Sequence, residues 1–419
     1  MHGSGLSDAA TVAEFKRGWK ALIGCSVGVG FGLSGLPFYC FSVFVIPLAE
    51  AFGWTRGETT RASSLLVIGT AITAPIIGTI IDRYGARRVG LISMVGVAMG
   101  FFALSQLNGS LTVYYLIWIA MALAGGGTTP VVFTRTIGMW FNRARGTALG
   151  LTLAGSGLSG IVGPSLVTAL IRDYGWQGGY IGLGILVLVI AIPVMLVLFK
   201  DRDETQTQTQ TQTRTHTEAT PERSGLTLQQ AIRTRDFWQI SLGFIVVSAM
   251  VAALLLNLVP LLRDRGLSPE AAAGLAGVMA FAVLVGRVVV GGLVDRFGGK
   301  MVARVLLSLT AGGCLLLALP NTPSWVPLIS VISLGFATAA EVDLVAFLTA
   351  RYFGMKAYGK IYGWQITSFY LGAAMGSLGA GFAYDILNGY VEMLYFAAGS
   401  LVFGAIVVGS LRDPPNFAD

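Results

Sequence analysis

The sequence predicts an all-α polytopic membrane protein: twelve transmembrane helices in two pseudo-symmetric six-helix bundles, both termini cytoplasmic. Three observations carry this. The chain of 419 residues is 54% hydrophobic and 12% charged, where a soluble domain carries about 25% charged residues. Apolar runs long enough to cross a bilayer recur along it. The second half also repeats the first at an offset of 213 residues.

The apolar runs fall near 18–49, 60–81, 89–107, 111–140, 145–171 and 178–199. After a polar gap they resume near 237–262, 270–294, 301–320, 325–350, 359–386 and 392–411. This gives a tail at 1–17, a first bundle at 18–199, a linker at 200–236, a second bundle at 237–411 and a tail at 412–419. Gly35 and Pro37 are placed to bend the first span near Tyr39, and AGGGTTP at 124–130 to loosen the fourth. Residues 1–15 are polar and the first apolar run is too long for a signal peptide, so no cleavable signal is expected.

Loop charges set the orientation. Twenty-one lysines and arginines fall on the side of the termini and the linker, and five (Arg56, Arg61, Arg172, Arg263 and Arg265) on the other. The net charge of +7 therefore reads as a topology signal, with no nucleic-acid partner implied. Cys25, Cys40 and Cys314 lie inside apolar spans and read as packing residues without a disulfide. No His/Cys cluster suggests a metal, and no cofactor is expected. In the linker, QTQTQTQTRTHT at 206–217 is a low-complexity tract that cannot build a core, and His216 within it reads as solvated. SGLTLQQAIRTRDFW then reads as a short amphipathic helix capped by Thr227, with Leu228, Ile232 and Phe237 on the membrane surface.

The repeat is specific. GTIIDRYGARR at 78–88 overlays GGLVDRFGGKM at 291–301, pairing Gly78 with Gly291, Asp82 with Asp295, Arg83 with Arg296 and Gly85 with Gly298. Gly146 and Gly150 likewise overlay Gly359 and Gly363. Six spans followed by six in the same orientation form a parallel repeat. The glycines at 78 and 291 admit a close helix, and those at 85 and 298 permit a tight turn. Asp82 and Asp295 end their helices where they could face the positive N-terminus of another.

These residues resemble the signature loop of the major facilitator superfamily, G-x-x-x-D-R-x-G-x-R-R, in both copies. The resemblance covers the whole chain. It implies that Gly78, Asp82, Arg83, Gly85 and Arg87, with Gly291, Asp295, Arg296 and Gly298, latch the halves on the cytoplasmic side. GSGLSGIVGP at 155–164 resembles the Gly-Pro motif of the same superfamily, often linked with antiporters. It reads equally as a small-residue packing seam, as do Gly372, Gly376, Gly379 and Gly381. FYCFSVFVIPLAEAFGWTRGE and WFNRARGTALGLTLAGSGLSG resemble the monocarboxylate and oxalate–formate branch. There an arginine of the eighth helix holds the substrate carboxylate, and Arg287 stands at the matching place. The sequence departs from that branch's animal members at Val283, where they have an aspartate, and near Ser42, where they have a lysine. Their proton-coupling pair is not carried over.

Charges inside spans are expensive and face water-filled cavities, partners or substrates. Four stand out for their depth: Arg135, Arg287, Glu341 and Asp343. Arg287 precedes Asp295 by eight residues, Asp343 precedes Arg351 by eight and Arg135 precedes Arg143 by eight. All three thus sit ~12 Å above the cytoplasmic end. Arg287 is expected to bind a carboxylate, its planar, permanent charge being suited to one. The alternative is a structural pair with Asp343 or Glu341. Arg135 is a second substrate candidate, with a structural tie between helices as its alternative. Glu341 and Asp343 lie ~200° apart around the helix, so they face differently. Either could carry a proton or stay ionised beside an arginine. Neutral substrate-site candidates are Tyr39, Ser42, Asn257, Gln365 and Tyr370, with Thr128, Thr129 and Ser368; each reads alternatively as a packing hydrogen bond.

The expectation is a secondary transporter of a small organic anion, a monocarboxylate, working as a proton symporter. It would act as a monomer in a bacterial inner membrane. An anion or drug antiporter and a non-transporting receptor of the same fold are the rivals. No G-x-x-x-x-G-K-[ST] loop is present, which disfavours ATP-driven transport, and the loops leave no room for an enzyme domain.

Overall fold

The computed structural model describes residues 4–201, 224–320, 322–387, 390–415 and 417. The Gln/Thr tract at 206–217, His216 and His2 lie outside them.

The described chain is helical. Its order is α1 Ser4–Phe31, α2 Leu36–Phe52, α3 Arg56–Tyr84, α4 Ala86–Leu104, α5 Leu111–Ala124, α6 Pro130–Trp140, α7 Arg145–Leu186 and α8 Ile192–Leu198. It continues with α9 Leu228–Ile232, α10 Arg235–Leu256, α11 Leu258–Asp264, α12 Pro269–Phe297, α13 Gly299–Ala318, α14 Trp325–Phe353, α15 Tyr358–Leu387 and α16 Val391–Gly409. Ten helical stretches among the described residues are long and apolar enough to cross a membrane. One of them, Arg145–Leu198, is interrupted where Gly175 takes φ 71° and ψ 177°, between the expected spans 145–171 and 178–199. Helix α15 covers the expected span 359–386. Cys25, Cys40 and Cys314 are buried, free thiols.

Two compact units are formed. Unit 1 comprises Met1–Gly225 with Met355–Gly363, and unit 2 comprises Leu226–Gly354 with Trp364–Ala418. In unit 1 the first expected span is two helices. Gly32 and Gly35 break it, and Pro37 restarts it. The fourth span breaks at a 3-10 turn, Gly125–Thr128, and Pro130 opens α6. The breaks meet. The Leu33 N–H donates to Thr128 Oγ1 at 3.0 Å, and the Thr128 hydroxyl donates to the Gly125 carbonyl at 2.7 Å. The break in the fourth span thereby satisfies a buried backbone N–H of the first, a group that would cost about 1–3 kcal/mol if orphaned.

The tail expected over 1–17 is helical from Ser4. Glu14 explains this: its carboxylate accepts the N–H groups of Arg143 and Ala144, both at 3.1 Å, ahead of α7. Phe15 packs on Phe141 with ring centroids 5.1 Å apart.

In unit 2, Leu307, Ala311, Val331, Leu334, Leu394 and Leu401 belong to one apolar core. Helix α15 lies close on α10 because Gly372 and Gly376 face the backbone of Ile245 and Ala249. Helix α9 is the expected linker helix, with Thr227 and Gln230 forming a capping box. It is only five residues long. Phe237 does not rest on the membrane surface as expected: Thr234 caps a new helix there, and Phe237 is buried against Phe353.

Candidate functional site

Helices α12 and α14 approach through small residues. A Cβ on Gly335 would lie 2.7 Å from that of Ala282, and one on Gly286 would lie 3.0 Å from that of Ala339. This seam brings Arg287, next to Gly286, against Asp343, which follows Gly335 and Ala339 at intervals of four on one face of α14. Arg287 Nη1 donates to Asp343 Oδ1 at 3.0 Å, with side chains 11% and 5% exposed. It is the one hydrogen bond Arg287 makes among the described residues. The buried Arg287 Nε and Asp343 Oδ2 have no hydrogen-bond partner there.

Glu341 leaves the helix on another side. It is buried, and its Oε2 likewise lacks a partner. Arg287 and Asp343 thus form a buried pair inside unit 2, and Glu341 is a second buried acid on α14.

Arg135 sits in a different environment, in unit 1. It is 1% exposed. Its Nε lies 3.3 Å from Asp82 Oδ1 and its Nη1 3.3 Å from Asp201 Oδ2. Asp201 also accepts the Ala86 N–H at 3.1 Å, tying the start of the linker to the start of α4. Asp82 accepts the N–H groups of Gly359 and Lys360 at 3.1 and 2.9 Å. A carboxylate therefore faces the first turn of α15, where the helix dipole and unpaired N–H groups favour an anion. Gly78 makes the approach possible, because a Cβ there would overlap the Gly359 carbonyl oxygen.

The second copy of the loop matches in backbone. Gly85 at φ 84° donates its N–H to Ile81, and Gly298 at φ 80° donates to Val294. Arg83 and Arg296 each sit 5.3 Å from the neighbouring ring, Tyr84 and Phe297. Arg87 donates to the Leu196 carbonyl at 2.7 Å. Gly291 is buried and Asp295 half-buried.

The neutral candidates scatter. Tyr39 is half-buried with its ring over Gly160, and Ser42 is exposed. Asn257 ends α10, donating to the Ala253 carbonyl at 2.9 Å and accepting from the Tyr390 hydroxyl at 3.3 Å. Gln365 is buried, accepting from Ser241 at 3.0 Å and donating to the Phe237 carbonyl at 3.1 Å. Tyr370 is half-buried. Thr129 donates to Gly126, and Ser368 to Trp364.

Sequence reasoning missed Asp201 and Glu14. Asp201 carries a faint signal, an acid immediately after an apolar span; Glu14 carries none.

The comparisons agree with this architecture. Monocarboxylate transporter 13 of Bos taurus is 26% identical over 387 residues, covering 90% of this chain and 85% of that protein. Monocarboxylate transporter 12 of Mus musculus is 24% identical over 405 residues, covering 89% and 81%. Among solved structures, the human organic anion transporter MFSD10 superposes with a TM-score of 0.71 at 14% identity, over 93% of this chain and 99% of that one. The E. coli fucose:proton symporter FucP gives 0.68 at 14% identity, over 94% and 98%. At such identities the structures speak to the fold. The sequence also matches the Major Facilitator Superfamily over residues 27–377 and 275–417. Repeated loop, helical fold and sequence match coincide, and the chain belongs to the Major Facilitator Superfamily of membrane transporters.

Proposed function

We propose that this transporter moves a small organic anion, a monocarboxylate, together with a proton by rocking-type alternating access. In this reading twelve spans form the carrier, both termini are cytoplasmic, and it works as a monomer in a bacterial inner membrane. The observation that carries it is the half-made pair of Arg287 and Asp343. A guanidinium presents five donors in a planar fork that matches a carboxylate, and this one gives a single hydrogen bond among the described residues. Its unpartnered edge is where a substrate carboxylate binds. The curated relatives, monocarboxylate transporters, handle the same chemical class.

An acid of the pair Asp343 and Glu341 takes the proton, so that an anion and a positive charge move together. Arg135 is a structural arginine in this account. It balances Asp82 and Asp201 and keeps Asp82 placed against α15, as part of a latch with Gly78 and Gly85. The loop carrying Gly291, Asp295, Arg296 and Gly298 is the matching latch of the second repeat.

The test is uptake into proteoliposomes. With an inward proton gradient, wild type is expected to accumulate radiolabelled pyruvate or lactate and Arg287→Gln to accumulate neither. Uptake indifferent to the gradient would contradict symport, and full uptake by Arg287→Gln would contradict the anion site.

A further inference from the structure

The end of the linker is bonded to the turn between α14 and α15. The Leu226 N–H donates to the Phe353 carbonyl at 2.8 Å, and the Met355 N–H donates to the Ser224 carbonyl at 3.1 Å. The first bond lies within unit 2 and the second within unit 1. Together they set Gly225 opposite Gly354 in a short antiparallel pairing. Among the described residues no other strand-like pairing occurs. Both glycines have positive φ, 141° and 73°, a backbone that other residues rarely adopt.

On one side the pairing completes a helix end. Helix α14 stops at Phe353, and the last carbonyls of a helix have no partner within it. The Gly354 N–H turns back to the Ala350 carbonyl at 3.1 Å. The carbonyl of buried Phe353 is answered from outside the helix, by Leu226. The register of the linker strand is fixed as well, because Thr227 opens α9 with its capping box directly after Leu226.

On the other side the pairing leads into a segment seated on unit 1. Met355 lies against α6, where a Cβ on Gly138 would be 3.1 Å from its Cε. The Tyr358 hydroxyl donates to Thr134 Oγ1 at 3.1 Å. Asp82 on α3 accepts the Gly359 and Lys360 N–H groups. A Cβ on Gly363 would lie 2.6 Å from the Ala74 carbonyl oxygen, also on α3. The bond from Met355 to Ser224 comes first along this segment, at the point where the chain leaves the turn.

We propose that Ser224–Leu226 is a backbone clasp on the Phe353–Met355 turn, through which the central linker sets how often the first turns of α15 leave their seat on α3 and α6. The linker is then a conformational control element as well as a connection. The clasp works through main-chain atoms, so the N–H of residue 226 matters and its side chain does not. It adds to the hold of Asp82 and is independent of what Arg287 binds.

The test is hydrogen exchange over residues 353–363 in the purified full-length chain. Leu226→Pro removes the donor. It is expected to raise exchange at Met355, Gly359 and Lys360 about fivefold, the net effect of one backbone hydrogen bond. Leu226→Ala keeps the N–H and should match wild type. Ser224→Cys/Met355→Cys places two thiols across the pairing, at a separation a disulfide can span. Its oxidised form should exchange more slowly at Gly359 and Lys360 than its own reduced form, which keeps the test decisive even where Leu226→Pro folds poorly. Unchanged exchange in Leu226→Pro overturns the proposal, as does an equal rise in Leu226→Ala. So does a rise shared across α3 and α6, which would mark general loosening. A cysteine pair that fails to cross-link, or a cross-link that leaves exchange unchanged, overturns it too.

Discussion

Arg287 gives Asp343 one hydrogen bond, Nη1 to Oδ1 at 3.0 Å, while its buried Nε has no acceptor among the described residues. A pair intended only to hold α12 to α14 could use both edges of the fork. Breaking a buried pair by removing one partner costs about 3–5 kcal/mol, whereas replacing both by apolar residues is often neutral. Asp343→Leu is therefore expected to lower stability by about 3 kcal/mol. The double variant Arg287→Met/Asp343→Leu should recover most of that and still bind no carboxylate. Thermal unfolding in detergent checks the first point. Additive losses in the double variant would show that the two side chains do not act as a pair.

Arg135 is the more deeply fixed arginine, 1% exposed between two acids. Arg135→Met would remove the cation that Asp82 and Asp201 share. The expected loss is about 3–5 kcal/mol, with little recovery in Arg135→Lys, whose point charge cannot reach two carboxylates from a planar fork. Denaturant melts of the three proteins decide this; a stable Arg135→Met would mean the acids are carried neutral.

Asp82 accepts two backbone N–H groups at the start of α15. Hydrogen bonds to a charged group contribute about 1.5–3 kcal/mol each. Asp82→Ala should therefore expose the 355–363 segment to proteolysis and hydrogen exchange. Gly78→Val should do the same through overlap with the Gly359 carbonyl, although it removes no charge. Unchanged exchange protection of Gly359 and Lys360 in both variants would contradict the latch.

Thr128 joins the two helix breaks of unit 1 by accepting the Leu33 N–H. Thr128→Val keeps the shape and leaves that buried N–H unsatisfied, at a cost of about 1–3 kcal/mol. Thr128→Ser keeps the acceptor and should stay near wild type. Equal melting of the two variants would show that the hydroxyl contributes nothing.

Much of this was legible because membrane helices report themselves locally. Gly85 and Gly298 could be placed at tight turns from the repeat alone, and both take positive φ. Counting residues from the cytoplasmic loops put Arg287 and Asp343 at one depth, which left pairing as one of two readings. Depth does not fix azimuth, so Asp343 could not be told from Glu341 as the partner. The Gly286–Ala339 and Gly335–Ala282 contacts that set the azimuth depend on which helices adjoin. The meeting of Leu33 with Thr128, and of Arg135 with Asp201, were illegible for the same reason: each joins residues far apart in sequence through a packing choice no local pattern encodes. Phe237 misled because amphipathic spacing looks alike on a membrane surface and against a neighbouring helix.

The most direct measurement is a thermal-shift series of monocarboxylates, dicarboxylates and neutral analogues against wild type and Arg287→Gln. Monocarboxylates should raise the melting temperature of wild type and leave Arg287→Gln unmoved, with neutral analogues shifting neither. If neutral compounds stabilise both proteins equally and acids stabilise neither, the guanidinium at 287 is not where the transported molecule is held.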